Sequence, residues 1–370
     1  MSVQRLNSVS GQQIKWARID AGYSEDEVAR LCGISDADAV TDIESGKLKP
    51  TQLQAQKLAK RFNRPIAFFY LAKPPTTPSY EETDNRSAVV ATSYSPKGRL
   101  AIRRLHLLQD YSADLTKELN EPNPILPSAT IHQTPKQVAQ IIDDALKITP
   151  ATRWLPKQTA LNSLVAKVEN LGIVVSLQSM PRTELQGASS LKPYPVIVVN
   201  HSDYTSSKIF TLLHEVAHLT LRSEGVCLIE YSPSHSIEKF CNQVAGELLV
   251  PEQELIQKLG SQIPSDESTI QMLSDYFSVS KEVVLLRLIG LGKVDSSAWD
   301  ALVPNWRADI SKNQKIMRTA SPVTRAIREN GTKFTKLVFD GFDKGLFSQS
   351  EASRYLKVRG GILDDIRGRM

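Results

Sequence analysis

The stretch TLLHEVAHLTL, residues 211–221, sets two histidines four apart, a glutamate directly after the first, and aliphatic residues over most of the rest. Residues four apart on a helix lie on one face. His214 and His218 can therefore each aim an imidazole nitrogen at a single point. Zinc accepts two imidazoles, takes a third protein ligand and keeps its remaining position for water. That water ionises near neutral pH and becomes a nucleophile. Glu215 stands at the edge of the same face, where it reaches past the metal to the water without being a ligand; this is the HExxH arrangement of zinc peptidases. The expected roles are metal ligation for His214 and His218 and proton transfer for Glu215.

A third ligand is needed, and Glu238 follows His218 by twenty residues, near the start of the next helical segment. Two antiparallel helices joined by a loop of that size bring the three groups together. His235, Glu230 and Glu224 are the alternatives. Asn242 lies one turn beyond Glu238 and faces the same way, placed to hydrogen-bond a ligand histidine and fix its orientation. For the oxyanion of a tetrahedral intermediate the nearby polar residues are Tyr204, His201, His235 and Arg222, and none stands out.

The elements that must position these groups follow from local patterns. Residues 12–70 read as short helices. Ser24 with Glu27 forms a capping box ahead of EVARL, Gly33 ends that helix, Ser35 is placed to cap a third, and TQLQAQKLAKRF supplies another amphipathic segment. The sum is a helix-turn-helix pattern. Residues 71–99, rich in Pro, Ser and Thr, lose periodicity and read as a linker or wrapping arm. Helical patterns return at 99–119, 135–147 and 157–170. LGIVVSLQS (171–179) and PVIVVN (195–200) carry the β-branched runs of strands. PVIVVN leads into the HEVAH helix and reads equally as an exposed edge strand, to which an extended peptide can add by backbone hydrogen bonds, or as an ordinary buried strand. SIEKFCNQVAGELLVP (236–251) is helical and ends at Pro251. Helices continue through 252–292, and the last fifty residues form two or three more, with a capping box at Ser348 and Glu351. The expected fold is mainly α with a small β-sheet (α+β). Its parts are a helix-turn-helix domain at 1–75, the linker or arm at 76–99, a gluzincin-like metallopeptidase domain at 100–252, a helical extension at 253–305 and a basic C-terminal helical tail at 306–370.

Composition narrows the class. A chain of 370 residues with 41% hydrophobic residues can bury a real core. No apolar run reaches the roughly 20 residues that cross a bilayer. MSVQRLNSVSGQQ has no apolar signal-peptide core, so the expected location is the cytoplasm, with no membrane partner. Cys32, Cys227 and Cys241 are too few and too scattered for a disulfide framework and read as reduced core thiols. The net charge is +5, but residues 306–370 hold 14 Lys and Arg against 7 Asp and Glu, which leaves −2 for the remainder. No glycine-rich loop or GK[ST] motif points to a nucleotide.

At this point the residues resemble a known family. HEVAH followed by E…CN…A.ELLVP, with PVIVVN…F.LLHE upstream, resembles the ImmA/IrrE metallopeptidases. IKWARIDAGYSEDEVARLCGIS…IESGKLKPT…KLAKRFNRPIAFFY looks like the Xre-type helix-turn-helix that many members carry, and LSDYFSVSKEVVLLRLIGLG is similar to the extension after the metal site. The resemblance implies His214, His218 and Glu238 as zinc ligands and Glu215 as the catalytic glutamate. It implies an endopeptidase, active alone or latent until a partner engages it. Its substrate would be one regulatory protein such as a repressor, in a stress response, mobile-element control or a toxin–antitoxin pair. The alternative is a repressor or antitoxin that binds a toxin or operator DNA with little or no catalysis. One departure stands out. The helix expected in the DNA groove, SDADAVTDIES, holds Asp36, Asp38, Asp42 and Glu44 and no Lys or Arg. Phosphate neutralisation supplies most DNA affinity, so Lys47 and Lys49 are left as the DNA-contacting candidates. A protein partner or a second copy of the chain is the other reading of that helix.

Overall fold

The structure is a computed structural model, and it describes residues 5–75, 94–148, 155–182, 184–222, 236–312 and 320–370. The chain forms two compact units, Met1–Arg104 and Leu105–Met370.

The first unit is built from α1 (Gly11–Ala21), α2 (Glu25–Cys32), α3 (Ala37–Ser45) and α4 (Gln52–Phe62), followed by a 3-10 turn at Ile66–Tyr70. Local chemistry sets each boundary. Ser24 and Glu27 form the capping box of α2, and Gly33, at φ 70°, ends it in the left-handed conformation that glycine adopts without strain. α3 is capped by Asp36, whose carboxylate accepts the backbone N–H of Ala39 at 2.8 Å, so Ser35 does not cap it. Two cap-forming residues stand side by side, and the extended backbone falls on the second. Thr51 and Gln54 box the start of α4. Ile14, Val28, Ile43, Leu58, Phe62 and Phe69 fill the core. Across it Arg18 grips Glu44 through two hydrogen bonds, 2.6 and 3.1 Å long. Asp20, buried at 2% exposure, accepts from Arg64 and Arg103.

Helix α5 (Pro96–Leu119) leads into the second unit, which continues with α6 (Pro135–Leu146) and α7 (Lys157–Asn170). A three-stranded sheet follows, from β1 (Val174–Gln178), β2 (Gly187–Ser190) and β3 (Val196–Asn200), in the order β1-β3-β2. β1 runs parallel to β3, and β2 runs antiparallel to it, with Gly187 opposite Val199. PVIVVN is thus the central strand, paired on both sides and buried along all five residues. It offers no free edge to a peptide. β2 takes the outer position, and its four residues are buried too.

From β3 the chain turns into α8 (Thr205–Thr220), and α9 (Ser236–Leu249) packs along α8 and α6. Leu212, Val216, Ala217, Val244, Ala245 and Leu248 belong to the core that joins these helices to the sheet. Then come α10 (Glu252–Leu259), α11 (Glu267–Phe277), α12 (Lys281–Gly290) and α13 (Ser297–Lys312), with their own apolar cluster around Leu255, Leu273 and Leu285. Arg287 on α12 is tied to α9 through an ion pair with Glu247 and a 3.0 Å bond to the Val250 carbonyl.

The last segment, α14 (Pro322–Asn330), α15 (Thr332–Asp343), α16 (Gln349–Tyr355) and α17 (Leu363–Arg367), belongs to the same unit. It covers the side of β1 that β3 leaves open. The Glu329 carbonyl accepts from Ser176 at 2.6 Å and from Gln178 at 2.7 Å. Glu169, from the end of α7, accepts the Lys333 N–H at 3.1 Å and so caps α15, whose own N-cap, Gly331, has no side chain to do it. A Cβ on Gly331 would meet the Val175 carbonyl oxygen at 2.6 Å. The expected divisions at 252/253 and 305/306 both fall inside this unit. Among the described residues no helix is long and apolar enough to cross a membrane.

Candidate metal centre

Helix α8 is apolar on nearly every face and is enclosed by β2, β3, α7 and α9, as a helix without a polar stripe must be. From Lys208 to Thr220 all its residues except Phe210 are buried. His214, Glu215 and His218 are therefore held in the interior at 6%, 0% and 2% exposure.

The two imidazoles converge. His214 Nε2 and His218 Nε2 lie 3.0 Å apart. Glu238, in the first turn of α9, completes a triangle, with Oε2 3.3 Å from His214 Nε2 and Oε1 3.4 Å from His218 Nε2. The ligand atoms of these three residues all fall within 4.8 Å of one another. An ion about 2.0–2.2 Å from each ligand in tetrahedral array spaces neighbouring ligand atoms roughly 3.3–3.6 Å apart. The two sides that end on Glu238, 3.3 and 3.4 Å, meet that spacing, and the side between the imidazoles, 3.0 Å, is shorter; the chemistry, two neutral-capable imidazoles and one carboxylate, is a zinc donor set. Glu238 retains 31% side-chain exposure, which marks the side on which the cluster opens.

Electrostatics favour a cation at this point. Burial pushes the Glu238 carboxyl up, but hydrogen bonds and charge from His214 and His218 outweigh it and hold the group well below the usual carboxylate range. Burial likewise disfavours charge on His218, yet hydrogen bonds to Cys241 and Glu238 and the field of Glu215 raise it well above its ordinary value.

Glu215 is different from its neighbours. It is fully buried, and neither carboxylate oxygen has a hydrogen-bond partner among the described residues. A buried charge in that state is costly unless something bound there satisfies it. The strand beside it is shaped to leave it room. A Cβ on Gly187 would come within 2.8 Å of Glu215 Oε1 and 2.5 Å of Thr211 Cγ2.

The other expected residues sit as follows. Asn242 is half-buried on α9, one turn beyond Glu238. Glu224, Glu230, His235 and Cys227 lie outside the described residues. Tyr204 stacks under Arg182 at 4.4 Å, the His201 Nε2 faces Arg328 at 2.7 Å, and Arg222 donates to the carbonyls of Leu219 and Leu126. These contacts engage His201 Nε2 and the Arg222 guanidinium, whereas at Tyr204 the stack engages the ring and not the hydroxyl. In the first unit Lys47 is exposed and pairs with Asp42 at 3.6 Å, whereas Lys49 donates to the Val9 carbonyl at 3.3 Å. Of the four acidic residues of the groove-facing segment, Asp36 is a helix cap and Glu44 is buried against Arg18. Asp38 and Asp42 are left on the outer face.

Gly187 escaped the sequence reading. It lies in GASS, which has no β-branched residue to announce a strand.

Comparison with protein families gives two matches. Residues 168–288 match the Peptidase_M78 model, described as the IrrE N-terminal-like domain, and residues 14–69 match a helix-turn-helix model. No curated protein and no solved structure matches the chain. The first match encloses β1 to β3, α8 and α9 and hence every residue of the cluster; the second runs from within α1 through α4. The chain thus carries an ImmA/IrrE-type Peptidase_M78 domain behind an N-terminal helix-turn-helix domain.

Proposed function

We propose that this chain is a zinc-dependent endopeptidase that cleaves one specific regulatory protein. The observation that carries the reading is the convergence of His214, His218 and Glu238 beside a buried Glu215 whose oxygens have no hydrogen-bond partner among the described residues. His214, His218 and Glu238 would hold the ion. When bound, zinc polarises the scissile carbonyl and acidifies water. Glu215 accepts a proton from the attacking water at a carboxylate oxygen and returns it to the leaving amine. Enclosure of the cluster by β2, α8 and α9 restricts bulk water, which strengthens each of these electrostatic contacts.

Glu215→Gln tests the mechanism. The variant keeps the three ligands and should retain zinc, while cleavage falls by about 10²–10⁴, the usual contribution of positioned proton transfer. Profiling of new protein N-termini in cells expressing the wild type or the variant checks this. Cleavage products that persist unchanged in the variant would contradict it.

A second reading, a binding protein such as a repressor or antitoxin, is favoured by one feature of the first unit. The outer face of α3 offers Asp38 and Asp42, and the charge of Lys47 is engaged by Asp42. A duplex repels such a face, whereas a cationic protein surface suits it. On this reading the helix-turn-helix domain binds the protein partner, or pairs with a second copy, and the metal domain contributes little or no catalysis.

A further inference from the structure

We infer that Phe210 walls a substrate subsite and receives an apolar side chain from the residue beside the scissile bond. The inference rests on the metal-centre reading above and adds a substrate preference to it. Between Lys208 and Thr220, Phe210 is the one residue of α8 that is not buried. Singly exposed apolar residues are ordinary on a protein surface, but this one has a particular place. It precedes His214 by four residues, so the helix stacks the two on one face. Their ring centroids stand 6.2 Å apart, with 32° between the planes. Ser206 and Ser207, one turn earlier on that face, are also only half-buried. Exposure on α8 thus follows a stripe that runs from these serines through Phe210 to His214. At 6%, His214 is in turn more exposed than Glu215 or His218.

A second residue extends the apolar lining. Leu249 follows Glu238 by eleven residues, about three helical turns, and so shares its face of α9. Phe210 and Leu249 are both partly buried. Both pack against two apolar clusters at once, that of α8, α9 and the sheet and that of α10 to α13. The two helix faces therefore lead from the proposed ligands to the same place. Apolar walls beside a few convergent polar groups are the usual make-up of a ligand site. An extended chain advances about 3.3–3.6 Å per residue, so a ring this close to a ligand is within reach of the side chain next to a carbonyl held at the cluster. Phe210 and Leu249 offer neither charge nor hydrogen bond. An aliphatic or aromatic side chain fits them, whereas a carboxylate or ammonium would give up its water there and gain no partner from them.

The test uses the full-length, zinc-loaded protein and amino-acid hydroxamates, whose chelating group seeks the metal while the side chain samples the wall beside it. Calorimetry gives the affinities of the leucine, phenylalanine, glycine and aspartate hydroxamates for the wild type, Phe210→Ala and Phe210→Leu. The wild type should bind the leucine or phenylalanine probe at least about 10-fold more tightly than the glycine probe, the usual worth of an added apolar group in a hydrophobic pocket. The aspartate probe should gain nothing over glycine. Most of that 10-fold ratio should be lost in F210A and restored in F210L. If F210A fails to fold, as judged by circular dichroism, Phe210→Val takes its place. Equal affinity for all four probes in the wild type overturns the inference and leaves the metal centre standing. So does a ratio that survives in F210A, since a merely structural role would weaken all four probes alike. A wild type that takes up no zinc removes the metal-centre reading and this inference together.

Discussion

The chemistry of the cluster is set by single atoms, and Gly187 shows how narrow the tolerance is. Its missing side chain leaves the room that Glu215 and Thr211 occupy. In Gly187→Ala the new methyl would force Glu215 off its position. Such overpacking typically costs about 1–3 kcal/mol, and displacement of a catalytic group by 1 Å can cost on the order of 100-fold in rate. The variant should therefore keep its zinc, melt at a lower temperature and lose turnover, as measured by metal content, thermal unfolding and cleavage in parallel. Full turnover would show that Glu215 does not need the position it occupies. His214, Glu215, His218 and Glu238 were legible in the sequence because the chemistry resides in their residue types and spacing. Gly187 was not, because its role is an absence felt across a strand–helix contact.

At the scale of elements, the docking of α14 and α15 onto β1 depends on a buried carboxylate. Burial raises Glu169 to about 7, even though N–H groups of Lys333, Val175 and Thr332 pull it back down. The ordinary value is 4.5, so between those two pH values the folded chain keeps a proton that the unfolded chain has released. Its contribution to stability is complete below pH 4.5 and is lost as pH rises through about 7, a total of roughly 3 kcal/mol. His201 acts in the opposite sense. Burial, then Arg328 and Lys208, lower it to about 4, so its contribution is present above its ordinary 6.5 and is lost as pH falls through about 4. The wild type must therefore be compared with Glu169→Gln by denaturant unfolding across this range. The difference between them should fall steadily from pH 4.5 to 7, and a flat difference would mean that Glu169 is not the group. Most helices here were legible from periodicity and caps, including the boxes at Ser24 and Ser348. β2 was hidden by its small residues. The role of β3 as central strand was hidden for the same reason, since strand order depends on a partner the sequence did not announce. The capping of α15 by Glu169 joins residues 164 apart and has no local signature.

At the scale of the molecule the chain forms two units, and the charge on α3 separates the candidate partners of the first. With Asp38 and Asp42 outward and Lys47 paired, the protein should bind duplex DNA weakly, with a shallow dependence on salt, because log affinity falls by roughly 0.9 per phosphate neutralised for each decade of salt. Fluorescence anisotropy at two salt concentrations measures this. Tight, sequence-selective binding with a steep slope would restore DNA as the target. The central claim concerns the second unit and is tested most directly by metal content. The measurement is mass spectrometry on protein purified without added zinc, wild type beside Glu238→Ala. The account predicts close to one zinc per wild-type chain and loss of most of it in the variant. A wild type that carries no zinc and takes none up on titration would contradict it.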